Sequence, residues 1–374
     1  MANPEHLDLL KRGVEAWNQW REEHPEIEPD LSGANLEGAR LSGAHLERAR
    51  LSRACLEKAD LRDAHLVGAH LSGANLKGAR LSGAHLEGAR LTRAFLEKAN
   101  LKDTHLEHAY LWSAHLEEAR LTGTHLEHAH LWDAHLEGAH LLGAHLEGAD
   151  LTHASFDNHS YLEGLALQDG QHGSASLVDI NWNSANLAVI KWERLTVLGE
   201  EQAARQSKTP GGKGKDKDMR LEEYQTAVRA NRQLAVVLRE QGLNEEADRF
   251  AYRAQLCQRI VWRWQRRPLK YLGSWLLWLL AGYGYRPGRS ILIYLLIIFS
   301  FGITYHLFGG LFLWPPDAFV YSLTSFHGRG FFPGLQNNHS LHDPLILLAA
   351  LEAVLGLLVE VSFIATFTQR FFAR

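Results

Sequence analysis

Histidine and glutamate recur together on a fixed spacing in the first half of this chain. His45, His65, His85, His105, His125 and His145 lie 20 residues apart, and Glu47, Glu87, Glu107, Glu127 and Glu147 follow two positions later, with Val67 as the gap. Imidazole beside carboxylate can exchange protons near neutral pH, and imidazole is also a common metal ligand. A metal, however, needs ligands that converge and a second layer that orients them. Side chains pointing outward from a repeating surface are expected only to decorate it, so the sequence implies no metal and no cofactor. A second grouping lies near the C-terminus, where Glu352, Gly356 and Glu360 fall at i, i+4 and i+8 and share one helix stripe. Carboxylates there could attract cations beside a Gly356 hinge, or each could pair with a neighbouring helix, and both readings stay open. No nucleophile, base and orienting residue stand together, and no glycine-rich phosphate loop precedes a helix. Enzymatic activity is therefore not expected.

What must position the first grouping is a repeat. Leucine occupies every fifth residue from Leu31 to Leu151, 25 in succession, and Phe156 takes the next place. After an interruption, expected to be a loop, the period returns shifted by one residue at Leu177, Trp182, Leu187 and Trp192. Two residues before each centre stands a small side chain, Ala34, Ala39, Ala44 and onward, with Thr104 and Thr124 as exceptions. Leucine and alanine therefore share an interior. A period of five fits neither the helix nor the flat strand, so each pentad must make one side and one corner of a coil, with Gly33, Gly38, Gly43 and Gly73 at corners.

From about Leu31 to Trp192 this pattern resembles the pentapeptide-repeat family, A(D/N)LXX, whose fold is a right-handed four-sided β-helix with four pentads per coil. His and Arg often replace the family's Asp or Asn before the leucine, at a position that points outward. The resemblance implies that residues 20 apart stack at about the 4.8 Å strand spacing. The six histidines then form one ladder with the glutamates beside it, either a neutral surface ladder or a pH-sensing one, because carboxylates favour imidazolium while stacked imidazolium groups repel. Some relatives mimic DNA, which calls for a strongly negative surface. Arg40, Arg50, Arg80, Arg90 and Arg120 share this surface with glutamates, so no nucleic-acid partner is expected. The solenoid is read as a binding or sensing body with a protein partner on its surface.

At 374 residues the chain has room for two or three domains. Residues 1–28 are expected to form a helical cap, one amphipathic helix over Leu9–Arg21 carrying Leu10, Val14 and Trp17, and 29–196 the β-helix. Residues 197–218, rich in Gly, Lys and Asp, are expected as a flexible linker and domain boundary. A helical hairpin follows at 219–267, as helices 219–241 and 244–266 divided at Gly242; it resembles a single tetratricopeptide-like unit. Residues 268–288, with Trp275 and Trp278, suit an interfacial helix. Cys55 and Cys257 have no metal-ligand spacing and fit a reducing compartment. The first residues lack the basic and apolar regions of a cleaved secretory signal.

Ile291 to Leu313 is a run of 23 uncharged residues, and Leu345 to Thr368 is interrupted only by Glu352 and Glu360. Each is long enough to cross a hydrocarbon core of about 30 Å. Arg259, Arg263, Arg266, Arg267, Lys270, Arg286 and Arg289 precede the first span and Arg370 and Arg374 follow the second, while the loop between holds Arg329 alone. Both ends are expected to be cytoplasmic, in a multi-pass inner-membrane protein in contact with lipid. The segment Asp317–Gly330 resembles the pore helix and filter of two-transmembrane potassium-channel-like proteins, and Leu351–Gly356 the start of their inner helix. The resemblance implies a homo-tetramer passing inorganic ions through an α-helical two-span pore domain. Thr324, Ser325, Phe326, His327, Gly328, Arg329 and Gly330 would form its filter, and Glu352, Gly356 and Glu360 its pore-lining stripe. Phe326 stands where the family has Thr, Arg329 where it has Tyr, and no Asp follows, which implies atypical selectivity. Arg329 would either face the pathway or be clamped by Asp317 or Glu352. The alternative is a non-conducting, membrane-anchored scaffold.

Overall fold

The computed structural model describes residues 2–209, 212–308, 315–327 and 344–371. Contacts divide the chain into two units, Met1–Cys257 and Gln258–Arg374.

The first unit is built on parallel bridges between residues 20 apart: Asp30 with Arg50, Asn35 with Cys55, Arg40 with Asp60, His45 with His65, and so on around four sides. Each side is two hydrogen bonds wide. His65 donates its N–H to the Ala44 carbonyl at 2.9 Å, and Leu46 donates to the His65 carbonyl at 2.7 Å. The leucines and alanines fill the tube and are almost wholly buried. Where Thr104 and Thr124 replace alanine, their hydroxyls donate to the Leu81 and Leu101 carbonyls at 2.8 and 2.7 Å, so neither buried oxygen is left unmatched. Each corner needs one residue with positive φ. Gly43 supplies it at 66° without strain, and Arg48 at 56° and Lys58 at 54° adopt it at some cost.

The interruption is a double one. His140 pairs with Tyr161, an offset of 161 − 140 = 21, whereas Asp150 pairs with Ser176, an offset of 176 − 150 = 26. One extra residue therefore enters first and five more later. The second insertion carries a small antiparallel hairpin, β1 (Gln168–Asp169) and β2 (Gly173–Ser174).

Both ends of the tube are covered. The N-terminal cap is two helices, α1 (Pro4–Lys11) and α2 (Val14–Glu23), rather than the single helix expected, because Gly13 breaks the run with φ of 121°. Trp17 is fully buried and donates its indole N–H to the His45 carbonyl at 2.8 Å. Asn18 receives the His45 N–H at 2.9 Å and donates to the Gly43 carbonyl at 2.9 Å. The open edge of the first coil is thus paired by side chains. Trp17→Phe keeps most of the apolar ring but leaves that carbonyl without its donor. The variant is expected to lose about 1–2 kcal/mol of solenoid stability, read as a lowered thermal midpoint by circular dichroism.

The flexible linker expected at 197–218 is a correction. Its first part is helix α3 (Gly199–Arg205), and helix α4 (Lys217–Glu240) starts before it ends. The expected domain boundary there is also absent, since the hairpin of α4 and α5 (Asn244–Trp264) packs on the last coil. Gln241 accepts from Leu187 N–H at 2.9 Å and donates to the Ala185 carbonyl at 2.7 Å. Gln233 and Arg229 bind Asp179, and Arg249 meets the Trp192 carbonyl. Without the hairpin the last coil would expose an unpaired edge and apolar Trp192, which is 2% exposed beneath it, so the hairpin serves as a lid instead of standing apart.

The second unit contains α6 (Pro268–Ala281), stopped by Gly282 with φ of 54°, then α7 (Pro287–Phe308), α8 (Pro315–Phe326) and α9 (Pro344–Phe371). Gly288–Leu307 and Ile346–Ile364 are long and apolar enough to cross a membrane. Leu292, Leu296, Phe299 and Ile303 form an exposed stripe on α7, and Leu347, Leu351, Val354, Leu358 and Val361 form one on α9.

Candidate functional site

In the second unit three helices meet at one carboxylate. Glu352 of α9 is fully buried. Tyr305 of α7 donates its hydroxyl to Glu352 Oε2 at 2.7 Å. Ser322 of α8 bonds Glu352 Oε1 through its hydroxyl, which also lies 3.0 Å from the Ile298 carbonyl. A carboxylate inside an apolar bundle is tolerated only with such partners, and it pins α8 between the two long helices. Glu352 thus pairs with its neighbouring helices, as one of the two readings left open for it expects. Each of its oxygens accepts one hydrogen bond from within the bundle. Arg329, Gly328 and Gly330 lie outside the described residues.

Gly356 is a position of close helix packing. A Cβ there would stand 2.0 Å from the Phe326 carbonyl oxygen. Phe326 itself is buried, edge-on to Tyr294 with ring centroids 4.9 Å apart, and Ser325 is buried beside it. These two expected filter residues therefore face the interior of their own unit. Thr324, His327 and Glu360 are brought together instead: with Leu323 they line a cleft of about 390 Å³. His327 Nε2 lies 3.4 Å from Glu360 Oε1. Tyr305 and Ser322 were missed by sequence reasoning; polar side chains within apolar helices were the available signal.

On the solenoid, the histidine column is present, and its order follows its glutamates. His45 to His65 and His65 to His85 are spaced 4.9 and 5.3 Å but tilted by 52° and 40°. From His85 through His105 and His125 to His145 the spacings are 4.8, 5.0 and 4.9 Å, and the tilts fall to 1°, 5° and 5°. The tilted steps flank Val67. Without a glutamate of its own, His65 turns its Nδ1 toward Glu47, 3.6 Å away. His85, His105 and His125 each hold Nδ1 at 3.1–3.2 Å from the glutamate two residues on, which fixes the ring plane.

The expectation that these side chains do not converge needs correction. Four sets place their ligand atoms within 4.8 Å of one another: Glu87, His105 and Glu107; Glu107, His125 and Glu127; Glu127, His145 and Glu147; and, on the opposite wall, Glu117, His135 and Glu137. The reason is that the glutamates fold back against the tube. Side-chain exposure falls from 34% at Glu87 through 28% and 12% to 8% at Glu147. There the β1–β2 hairpin crosses the column: the His172 carbonyl approaches Gly148 so closely that a Cβ would meet it at 2.6 Å. His172 is held by Asp169 at 2.8 Å and meets His128 edge-on at 5.7 Å. Burial pushes the Glu147 carboxyl above its usual range and holds the His128 imidazole below its own.

The family model for pentapeptide repeats matches eight copies, over residues 30–68, 64–103, 99–131 and 131–159. Among solved structures, the chain is similar to HetL, a pentapeptide repeat protein involved in heterocyst differentiation regulation from the cyanobacterium Nostoc sp. strain PCC 7120. The two are 32% identical over 42% of this chain and 82% of HetL, with a TM-score of 0.22. A second pentapeptide repeat protein of Nostoc PCC 7120 is 34% identical over 28% of this chain and 78% of its own, with a TM-score of 0.23. One from the thylakoid lumen of Arabidopsis thaliana is 22% identical over 40% and 89%, with a TM-score of 0.25. A comparison with curated proteins gives no match. Through its leucine-centred coils, the chain belongs to the pentapeptide-repeat proteins.

Proposed function

We propose that this protein is a membrane ion-channel-like protein, a homo-tetramer with atypical selectivity whose pentapeptide-repeat body binds or senses on the cytoplasmic side of the inner membrane. The observation that carries this reading is α8. Its 12 residues give a helix of about 18 Å, too short for a core of about 30 Å, yet it packs between two helices long enough to cross one. A half-length helix pinned at membrane depth by a buried carboxylate is the arrangement of a re-entrant pore helix, where non-spanning backbone is tolerated because protein surrounds it. A protein partner on the solenoid is supported by exposed Trp112 and Trp132, one coil apart on the same face.

A membrane-anchored scaffold is the second reading, favoured by one observation: Glu352 and Gly356 are consumed in packing within a single chain. Native mass spectrometry in detergent, followed by ion flux in liposomes, separates the two. The channel reading expects tetramers and flux that dissipates an imposed gradient. A monomer that leaves liposomes tight over a range of voltage and pH overturns it in favour of the scaffold.

A further inference from the structure

We propose that the end of the histidine and glutamate column binds a divalent transition-metal ion, with Glu127, His145 and Glu147 as its protein ligands. One ligand atom from each lies within 4.8 Å of the other two, and His145 Nδ1 stands 3.6 Å from Glu147 Oε1. Ligands bonded at about 2.0–2.1 Å in a tetrahedron lie about 3.4 Å apart, so this separation matches a coordination edge. It is wider than the 3.1–3.2 Å hydrogen-bonding contacts of His85, His105 and His125 with their own glutamates.

An independent observation points to a ligand. The Glu147 side chain is 8% exposed, and its Oε2 is buried with no hydrogen-bond partner. Glu127, at 12%, carries the same orphaned oxygen one coil away. A carboxylate oxygen withdrawn from water without a donor has lost its solvation, and two such groups also repel. Among the described residues their ion partners are only His125 and His145. Asp169 of the β1–β2 hairpin adds further negative charge beside Glu147. A cation between the two carboxylates supplies the missing countercharge to both.

The donor set selects the kind of ion. One imidazole nitrogen with two carboxylates suits zinc, cobalt or nickel, whereas calcium and magnesium prefer oxygen alone. Stacking of His145 on His125, 4.9 Å apart and 5° from parallel, fixes the direction in which Nδ1 points. Three protein ligands leave a fourth place for water, as in exchangeable rather than closed sites. The three other sets share the pattern with more exposed glutamates and are expected to bind more weakly.

The test uses the full-length chain, prepared without a histidine tag and stripped with chelator, and titrates it with Co(II) and then Zn(II). The expected result is the intense visible absorption of four-coordinate Co(II), abolished as Zn(II) displaces it. Glu147→Gln and His145→Asn should each weaken the tightest site by about tenfold or more while leaving the far-ultraviolet circular dichroism unchanged. Glu37→Gln, at the other end of the tube, should bind as the parent does. Absence of that absorption in the parent, or parental affinity in both His145→Asn and Glu147→Gln, overturns the proposal.

Discussion

Gly356→Ala is expected to unfold the second unit. A methyl group at this position meets the Phe326 carbonyl oxygen at 2.0 Å and its carbonyl carbon at 2.9 Å, and backbone atoms cannot swing aside as a side-chain tip can. Relief requires α9 to back away from the end of α8, which pulls Glu352 from Tyr305 and Ser322 one turn earlier. Overpacking alone costs about 1–3 kcal/mol, and leaving a buried carboxylate short of donors adds a comparable amount, so a loss of about 3 kcal/mol or more is expected. Gly273→Ala is the control, because a Cβ there has nothing within 4 Å. It should be neutral or slightly stabilising. Thermal aggregation and size-exclusion profiles of the full chain in detergent read the difference. If the two variants behave alike, α9 does not lie against Phe326 as described.

The second large effect is a dependence of solenoid stability on pH that traces to Glu200. This residue of α3 is almost wholly buried, its Oε1 accepts the N–H groups of Leu177 and Val178 at 2.6 Å, and its Oε2 has no partner. Burial pushes its carboxyl up to about 7 from an ordinary 4.5, against the opposing pull of those hydrogen bonds. Between these two values the folded chain keeps a proton that the unfolded chain has lost. Stability from this group is therefore fully present below pH 4.5, falls as pH rises toward 7, and is level above it. The total is on the order of 3 kcal/mol. Glu200→Gln retains an oxygen for both N–H groups and cannot ionise, so the difference in stability between parent and variant should change across that window. Asp30, Asp60 and Asp157 are held below their ordinary value by hydrogen bonds or Arg62, and titrate at more acid pH. Histidines are common to both proteins and cancel. A difference that stays constant from pH 4.5 to 7 would place the Glu200 proton elsewhere.

The coils were legible because one leucine per pentad is a strong, local and unbroken signal, and Trp17 marked the cap because a solenoid end must be covered. The interruption was only half legible. Its five-residue detour is invisible to a period of five, so six added residues looked like a shift of one. The lid formed by α4 and α5 escaped notice because a glycine and lysine run before it reads as a tether, whereas Glu201 in α3 and Arg253 in α5, 2.9 Å apart, tie across it. The histidine column could be drawn once residues 20 apart were stacked, but the fate of the carboxylates could not. Position alone says that a side chain leaves the wall outward, and does not say that Glu147 folds back beneath a hairpin. The junction of Tyr305, Ser322 and Glu352 joins positions 30 and 47 residues apart with no shared period, so only the packed helices reveal it.

The offset of 20 between bridged residues gives every side chain an angular address as well as a place in the chain. Removing one whole turn shortens the tube by about 4.8 Å and leaves each wall facing as before. Removing a single pentad rotates everything downstream by a quarter turn and carries His145 off the wall it shares with His125. The register is thus indexed in turns, and lengthening by duplication is harmless only in whole multiples of one. The six residues added between Ser155 and Ser176 escape this rule only because they leave the tube as excursions and return the chain to the same wall.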